Sequence, residues 1–261
     1  MEVPESGIVL VNKPSGMSSH DVVGFLRRKT GIKKIGHAGT LDPLADGLVI
    51  ALIGRDATKQ QDTFMGLPKV YEGTIVFGIT SASEDAEGPL TLHATLPELA
   101  ALNADTVTDS FAAYIGTTEQ VPPLYSAIQV DGKRLYKAAR AGTADAIEIP
   151  TRTITINAIE LLAFSPLPET TNDTLLQEAL ADVPPQDIRR QELYAWYAAR
   201  STQLQQLLPT ARIRVHCQKG VYIRSLARDI GTQVGTGAFL GNLTRTHIGE
   251  YALTDAVSVE Q

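Results

Sequence analysis

Apolar and polar positions alternate in a way that predicts both strands and helices along this chain. Gly7–Asn12 (GIVLVN) is an unbroken apolar run closed by Lys13-Pro14-Ser15-Gly16, the pattern of a buried strand entering a turn. A helix should follow, with Ser19 as its N-cap. Val22, Phe25 and Leu26 fall at i, i+3, i+4, Arg27–Lys29 suit the negative end of the dipole, and Gly31 ends the helix. Gly36–Gly47 (GHAGTLDPLADG) reads as a loop, Leu48–Ile53 as a second buried strand and Asp56–Phe64 as helical. Tyr71–Ile79 puts Tyr71, Gly73, Ile75, Phe77 and Ile79 on one face, which predicts a half-buried strand.

Farther along, Leu96–Tyr114 reads as helix broken near 103–105. Tyr125–Val130 reads as a strand ending in an Asp131-Gly132 turn, Leu135–Ala141 as a short helix, and Thr151–Phe164 as a strand pair. The stretch 166–209 differs in composition, with prolines at 166, 168, 184 and 185 and the single tryptophan, Trp196. It reads as an insertion carrying one amphipathic helix. Ala211–Cys217 returns to strand pattern, Lys219-Gly220 to a turn, and Leu226, Ile230 and Val234 recur every four residues as on a helix. Strands and helices without a regular βαβ rhythm predict an α+β fold.

Composition narrows the class. With 261 residues, 43% hydrophobic and 20% charged, the chain is long enough for a large core and too apolar for disorder. No apolar run reaches the roughly 18 residues of a membrane span. One cysteine, Cys217, excludes an internal disulfide and a CxxC pair, so a cytoplasmic protein is expected. The net charge of −6 excludes a uniformly basic coat, but the charge is sorted. Residues 12–59 hold eight basic side chains against four acidic ones, residues 70–128 and 153–188 hold no Lys or Arg, and residues 189–245 hold nine basic against two acidic. Because salt screens over about 8–10 Å, a polyanion meets the nearest face and not the sum.

Two clusters could carry chemistry. Asp42 sits between Leu41 and Pro43 in the glycine-rich loop; taken alone, Asp before Pro is a turn signal. A phosphate-binding loop is excluded because Gly39-Thr40-Leu41 lacks the lysine, and Asp42, Asp46 and His37 make a poor metal set, so no metal is expected. The second cluster, Lys219–Ser225 (KGVYIRS), predicts a turn, an extended piece and a helix start, with Tyr222 and Arg224 alternating to one side.

Together these fragments resemble the tRNA pseudouridine synthase B family in four separated motifs. The motifs are Asn12–Ser19 (NKPSGMSS), Gly36–Leu48 (GHAGTLDPLADGL), Pro122–Ala127 (PPLYSA) with Gly132, Tyr136, Ala139-Arg140 and Gly142, and Gly220–Leu226 (GVYIRSL). Lys69-Val70-Tyr71 and Leu243-Thr244-Arg245 add support. The resemblance implies a pseudouridine synthase fold with a mixed, mainly antiparallel central sheet. It implies one catalytic domain over 1–261, interrupted by the 166–209 insertion and without the small C-terminal RNA-binding domain of many relatives. The implied reaction is isomerisation of a uridine in the T arm of tRNA, with no cofactor, no membrane and no obligate protein partner, by a monomer. A tRNA-folding chaperone and a subunit of a guide-RNA complex are the rival readings.

By resemblance, Asp42 is the nucleophile, Arg224 holds its carboxylate ionised and oriented, Tyr71 stacks on the flipped base and Tyr222 packs beside it. Whether the carboxylate attacks C6 or C1′, or first removes the 2′ proton, stays open. His37 would contact the T-loop, and Lys13, Lys133, Arg140 and Lys219 would contact RNA, as would Arg27–Lys34 and the insertion's Arg189, Arg190 and Arg200. Two departures from the family pattern, Ala82 where an acid is expected and Gln129 where a lysine is common, fall outside the Asp42, Tyr71, Arg224 set.

Overall fold

A computed structural model describes residues 4, 6–126, 128–130, 133–135, 149–185 and 188–259. Its strands are β1 (Gly7–Lys13), β2 (Ile35–Ala38), β3 (Asp46–Ile53), β4 (Lys69–Phe77), β5 (Ile79–Ser81), β6 (Leu90–Leu92), β7 (Gly116–Gln120), β8 (Gln129–Val130), β9 (Lys133–Arg134), β10 (Arg152–Ser165), β11 (Thr210–Cys217), β12 (Ala238–Ile248), β13 (Tyr251–Ala252) and β14 (Val257–Ser258). The helices are α1 (Ser19–Thr30), α2 (Gly54–Lys59), α3 (Gln61–Gly66), α4 (Leu96–Ala101), α5 (Ala104–Ser110), α6 (Asp173–Ala181), α7 (Arg190–Leu207) and α8 (Ile223–Gln233).

The central sheet runs β14-β1-β3-β12-β4-β11-β10-β7, with β2 added on β3 and β13 on β12. Most pairs are antiparallel, and β1·β14 and β3·β12 are parallel, which is the mixed, mainly antiparallel sheet of the expected α+β class. The seam between β3 and β12 is thin, only Thr244↔Asp46 and Arg245↔Gly47. The largest apolar cluster joins Val49, Ile75, Phe77, Leu99, Ile213 and Leu226, and a second packs α1 against β1 and β3 through Val22, Leu26, Val11 and Ile53.

Several boundaries differ from expectation for identifiable reasons. The N-cap of α1 is Ser18, not Ser19, because Ser18 and Asp21 form a reciprocal capping box. Gly31 does end the helix, in the left-handed conformation at φ 73°. The 36–47 loop is partly strand, since 35–38 and 46–47 join the sheet. The Asp56–Phe64 stretch forms two short helices, and β4 ends at Phe77 because Gly78 turns at φ 95°. β4 is buried on both faces from Gly73 onward, more than the half-burial expected.

Thr151–Phe164 is one long strand, not a pair. It contains no Gly or Pro, and it adjusts through irregularities at Asn157, between Ile156 and Ala158, and between Leu161 and Ala163. The 166–209 stretch holds two helices and not the one expected, because Asn172 caps α6 and the 184–185 prolines separate it from α7. Of the expected Tyr125–Val130 strand only Gln129–Val130 forms. The Asp131-Gly132 turn, the 136–141 helix and Arg140 lie outside the described residues, as does the side chain of Lys133.

Candidate active site

The first motif fastens the second. Backbone groups on both sides of Asp42 are tied to residues of Asn12–Ser19 or to a buried cation. Ser19, freed from capping, is buried at the start of α1. Its Oγ accepts from the Leu41 N–H at 2.8 Å and donates to the Leu41 carbonyl at 3.2 Å. Gly16 donates its N–H to the Pro43 carbonyl at 2.8 Å, and the Ser15 hydroxyl donates to the Leu44 carbonyl at 2.8 Å. Lys13 is fully buried and donates through Nζ to the carbonyls of Pro14, Met17, Pro43 and Ala45. Burial lowers its ammonium to about pKa 8, although Asp46 and Asp42 act the other way. Lys13 is therefore spent inside the protein, which corrects its expected role as a phosphate contact.

Arg245 holds the loop from the other side, with Nε donating to the Leu48 carbonyl at 2.8 Å and a terminal nitrogen donating to the Gly39 carbonyl at 3.1 Å. The loop closes on β12 at Gly47, where a Cβ would lie 2.4 Å from the Arg245 carbonyl oxygen. Thus the last glycine of GHAGTLDPLADG marks a close backbone approach.

Held in this frame, the Asp42 side chain is 41% exposed while Arg224, its partner, is only 6% exposed. Arg224 Nε lies 3.0 Å from Asp42 Oδ2 as an ion pair, although its N–H is not aimed well enough to count as a hydrogen bond. The other guanidinium nitrogens are occupied. One donates to the Ser83 carbonyl at 2.8 Å and stands 3.4 Å from Asp85 Oδ2, and the other donates to the Tyr125 carbonyl at 3.2 Å. Burial works against the Arg224 charge, but Asp42, Asp85 and Glu84 together outweigh it and push the guanidinium up. Arg224 does not sit on an extended segment as expected. Tyr222 is the N-cap of α8 and Arg224 lies in its first turn, so helix geometry aims it. The buried Gln120 of β7 fixes that start, donating to the Tyr222 carbonyl at 3.1 Å and accepting its N–H at 2.9 Å.

Asp85, Glu84 and Gln120 are the residues that sequence reasoning did not assign to the site. The acidic loop is clamped to α8, with Glu84 accepting from Ser225 Oγ at 2.7 Å and pairing with Arg228, and Asp85 accepting from Ser83 Oγ and from the Glu87 N–H. Burial raises both carboxyls, against Arg228 for Glu84 and against Arg224 for Asp85. Ala82 is exposed on this loop, so the missing acid there takes nothing from the buried cluster, and Gln129 is likewise exposed. The signal for Asp85 was present in the SEDAEG spacing; Gln120, a polar residue ahead of two prolines, offered none.

Tyr71 projects from β4, opposite Arg245 on β12 and Val215 on β11. Burial pushes its phenol up, with Arg245 opposing. The Tyr222 phenol is raised by burial too, and the charge of Asp42 adds to the shift. Asp42, Asp85 and Arg224 share a small cleft with Leu44, Leu240 and Leu243, a charged floor under apolar walls. The insertion flanks it: Ser201 of α7 donates to the Gly241 carbonyl on the β12 bulge at 2.7 Å, and Arg190 stands 3.9 Å from Asp21.

The remaining expected contacts divide. His37 lies on β2, half-buried, its imidazole held below the ordinary value by burial and by Arg245. Lys219 is exposed at its turn, as are Arg189 and Arg190 on the insertion. Arg200 is buried and donates to the Ala179 and Leu180 carbonyls at the end of α6, so it is structural and not an RNA contact. Among the described residues no cluster of three or more His, Cys, Asp or Glu could hold a metal, and no helix is long and apolar enough to cross a membrane.

A half-exposed carboxylate on a clamped loop, with a buried guanidinium beside it, thus sits at the edge of a cleft on a pseudouridine synthase fold. The fold is shared with the solved Cbf5-Nop10-Gar1 complex (TM-score 0.59, 20% identity, 98% of this chain and 53% of that one). It is also shared with an H/ACA RNP bound to a substrate RNA containing 2′-deoxyuridine (TM-score 0.57, 18% identity, 97% and 51%). This chain thus spans about half of those chains. The family model "TruB family pseudouridylate synthase (N terminal domain)" matches residues 27–177, and the chain belongs to that family. Relatives called tRNA pseudouridine synthase B include that of Deinococcus radiodurans, 36% identical over 259 residues (97% of this chain, 77% of the relative). That of Opitutus terrae is 37% identical over 254 residues (97% and 86%).

Proposed function

We propose that the protein isomerises uridine to pseudouridine in the T arm of tRNA, acting on free tRNA as a single catalytic domain without a protein partner. The observation that carries this reading is the placement of Asp42: half-exposed, immobilised through the backbone on both sides, and paired with a buried arginine, in a chain of the TruB family.

The reaction breaks the N1–C1′ bond, turns the base and forms C5–C1′. The C5 hydrogen leaves as a proton and N1 gains one, so there is no net redox change. The target must leave the RNA stack to reach Asp42. The base then comes to lie over Asp42, with Tyr71 offering it an aromatic face and Tyr222 packing beside it, the roles the family resemblance implies. Arg224 orients the carboxylate through their ion pair while taking no part in phosphate binding, because its other donors are already occupied inside the protein. His37, Lys219, Lys133 and Arg140 would contact the folded RNA by resemblance, and the exposure of Lys219 supports this for that residue.

Unmodified tRNA carrying tritium at C5 of uridine tests the reading. Purified protein should release tritium in proportion to pseudouridine formed at the T-loop position, and Asp42→Asn should release none. Equal product from both forms would overturn the assignment. Product at positions outside the T arm would overturn the substrate, and dependence on an added protein would overturn the solitary action.

A further inference from the structure

We infer that Arg245 is a positioning residue for this reaction, fixing the Asp42 loop and Tyr71 in one frame across the central sheet. The inference rests on the function proposed above but is carried by separate observations. Asp42 and Tyr71 belong to elements that do not touch each other in the sheet: the loop leads into β3, Tyr71 is on β4, and β12 lies between. The β3·β12 side of this junction has only two paired residues, one of them Arg245 itself, whereas β4·β12 is a long ladder. Backbone pairing therefore secures Tyr71 to β12 firmly and the catalytic loop weakly.

The Arg245 side chain makes up the difference. It is 1% exposed, and among the described residues no carboxylate pairs with it. A buried guanidinium without a counter-charge is costly, so its donors must be needed where they are. Two of them span the loop, reaching Gly39 before Asp42 and Leu48 after it. The same guanidinium works by its charge against the rise of the Tyr71 phenol, from the residue directly opposite in register. A planar fork can reach carbonyls on both sides of the loop at once; an ammonium cannot span them. Arg224 aims the carboxylate, and Arg245 sets the distance from that carboxylate to the aromatic face.

The test uses the full chain with Arg245→Met and Arg245→Lys, single-turnover rates on unmodified tRNA, tRNA affinity, and 13Cζ-tyrosine spectra in which Tyr71 is assigned by its loss in Tyr71→Phe. Methionine removes the buried charge while filling the space, so the fold should survive. Expected are tRNA affinity within about threefold of wild type, a rate reduced on the order of 100-fold for Met and at least 10-fold for Lys, and a displaced Tyr71 resonance in both. The rate losses of Arg245→Lys and Tyr71→Phe should be less than multiplicative when combined. A folded Met or Lys variant with wild-type rate and an unmoved Tyr71 resonance overturns the proposal, and so does unfolding of both, which would make Arg245 a stability residue only. If wild type itself forms no pseudouridine, the functional reading fails. The Tyr71 resonance still reports whether Arg245 positions that ring.

Discussion

Gly47→Ala isolates the close approach between the catalytic loop and β12. Two effects add. The first is conformational: Gly47 has φ 104°, a region that L side chains rarely adopt, at a cost of about 1–3 kcal/mol. The second is contact: the new Cβ would stand 2.4 Å from the Arg245 oxygen and 2.8 Å from its nitrogen, so the strands must separate by roughly 1 Å, at the ~1–3 kcal/mol typical of overpacking. Losing the bonds of a two-residue seam adds about 1 kcal/mol each. The total is on the order of 4–8 kcal/mol, a large share of an ordinary domain's stability. Gly116→Ala is the matched control, since Gly116 has φ 101° with nothing within 4 Å of the added Cβ, so only the conformational part applies. Urea unfolding followed by circular dichroism should place Gly47→Ala at least about 2 kcal/mol below Gly116→Ala, with single-turnover rate depressed in the former and unchanged in the latter. Equal losses in the two variants would refute the reasoning, since the contact with Arg245 would then carry no energy.

Three further outcomes are expected. Lys13→Met leaves four carbonyls without their shared donor, so thermal stability should drop by about 2 kcal/mol, while the salt slope of tRNA binding should stay unchanged. A slope smaller by the roughly 0.7–0.9 of one lost phosphate contact would restore Lys13 to the RNA surface. Lys13 and Lys69 both hold pKa values of about 8, below the 10.5 of an unfolded lysine. The folded state therefore sheds these protons first, and stability should rise as pH goes from about 8 to 9, by up to about 1.4 kcal/mol per lysine per pH unit. Above pH 9 the Cys217 thiol, pushed up to about 12, opposes the gain, so urea midpoints at pH 7.5, 8.5 and 9 are the useful set; a flat or falling trend would be incompatible with these shifts. Asp85→Asn removes one of the two carboxylates beside Arg224 from a position only 11% exposed. The turnover rate should fall about 10- to 100-fold with tRNA affinity nearly unchanged, and equal losses in both would show that Asp85 serves binding.

What could be read from the sequence was whatever is local. The β1 run, the Gly31 helix end and the β11 strand follow from periodicity and turn residues, and the α+β class follows from their order. Asp42, Tyr71 and Arg224 could be singled out because the motifs carry them, and the fold pairs Asp42 with Arg224. Lys13 was misjudged because a lysine beside Pro-Ser-Gly looks solvated until a loop about thirty residues later supplies its carbonyls. Arg224 was placed on an extended piece because Tyr222-Ile223-Arg224 alternates well; that α8 starts at Ile223 depends on Gln120, a hundred residues earlier. The second insertion helix had a local signal in Asn172, hidden by the prolines around it. Arg245 appeared only as part of a short motif, and its burial follows from the sheet order.

That order also bears on synthesis. β12, residues 238–248, is the strand against which both the Asp42 loop and Tyr71 are set, and Arg245 is 203 positions downstream of Asp42. Contacts so distant in sequence form late and slow the folding of the whole. On the ribosome the first four-fifths of the chain can emerge, and α1, β1 and the β1·β3 pair can form, with the nucleophile present but its loop unclasped. A nascent chain of this protein should therefore be inert toward tRNA until β12 is out, and the chemistry should switch on in one step, not by degrees.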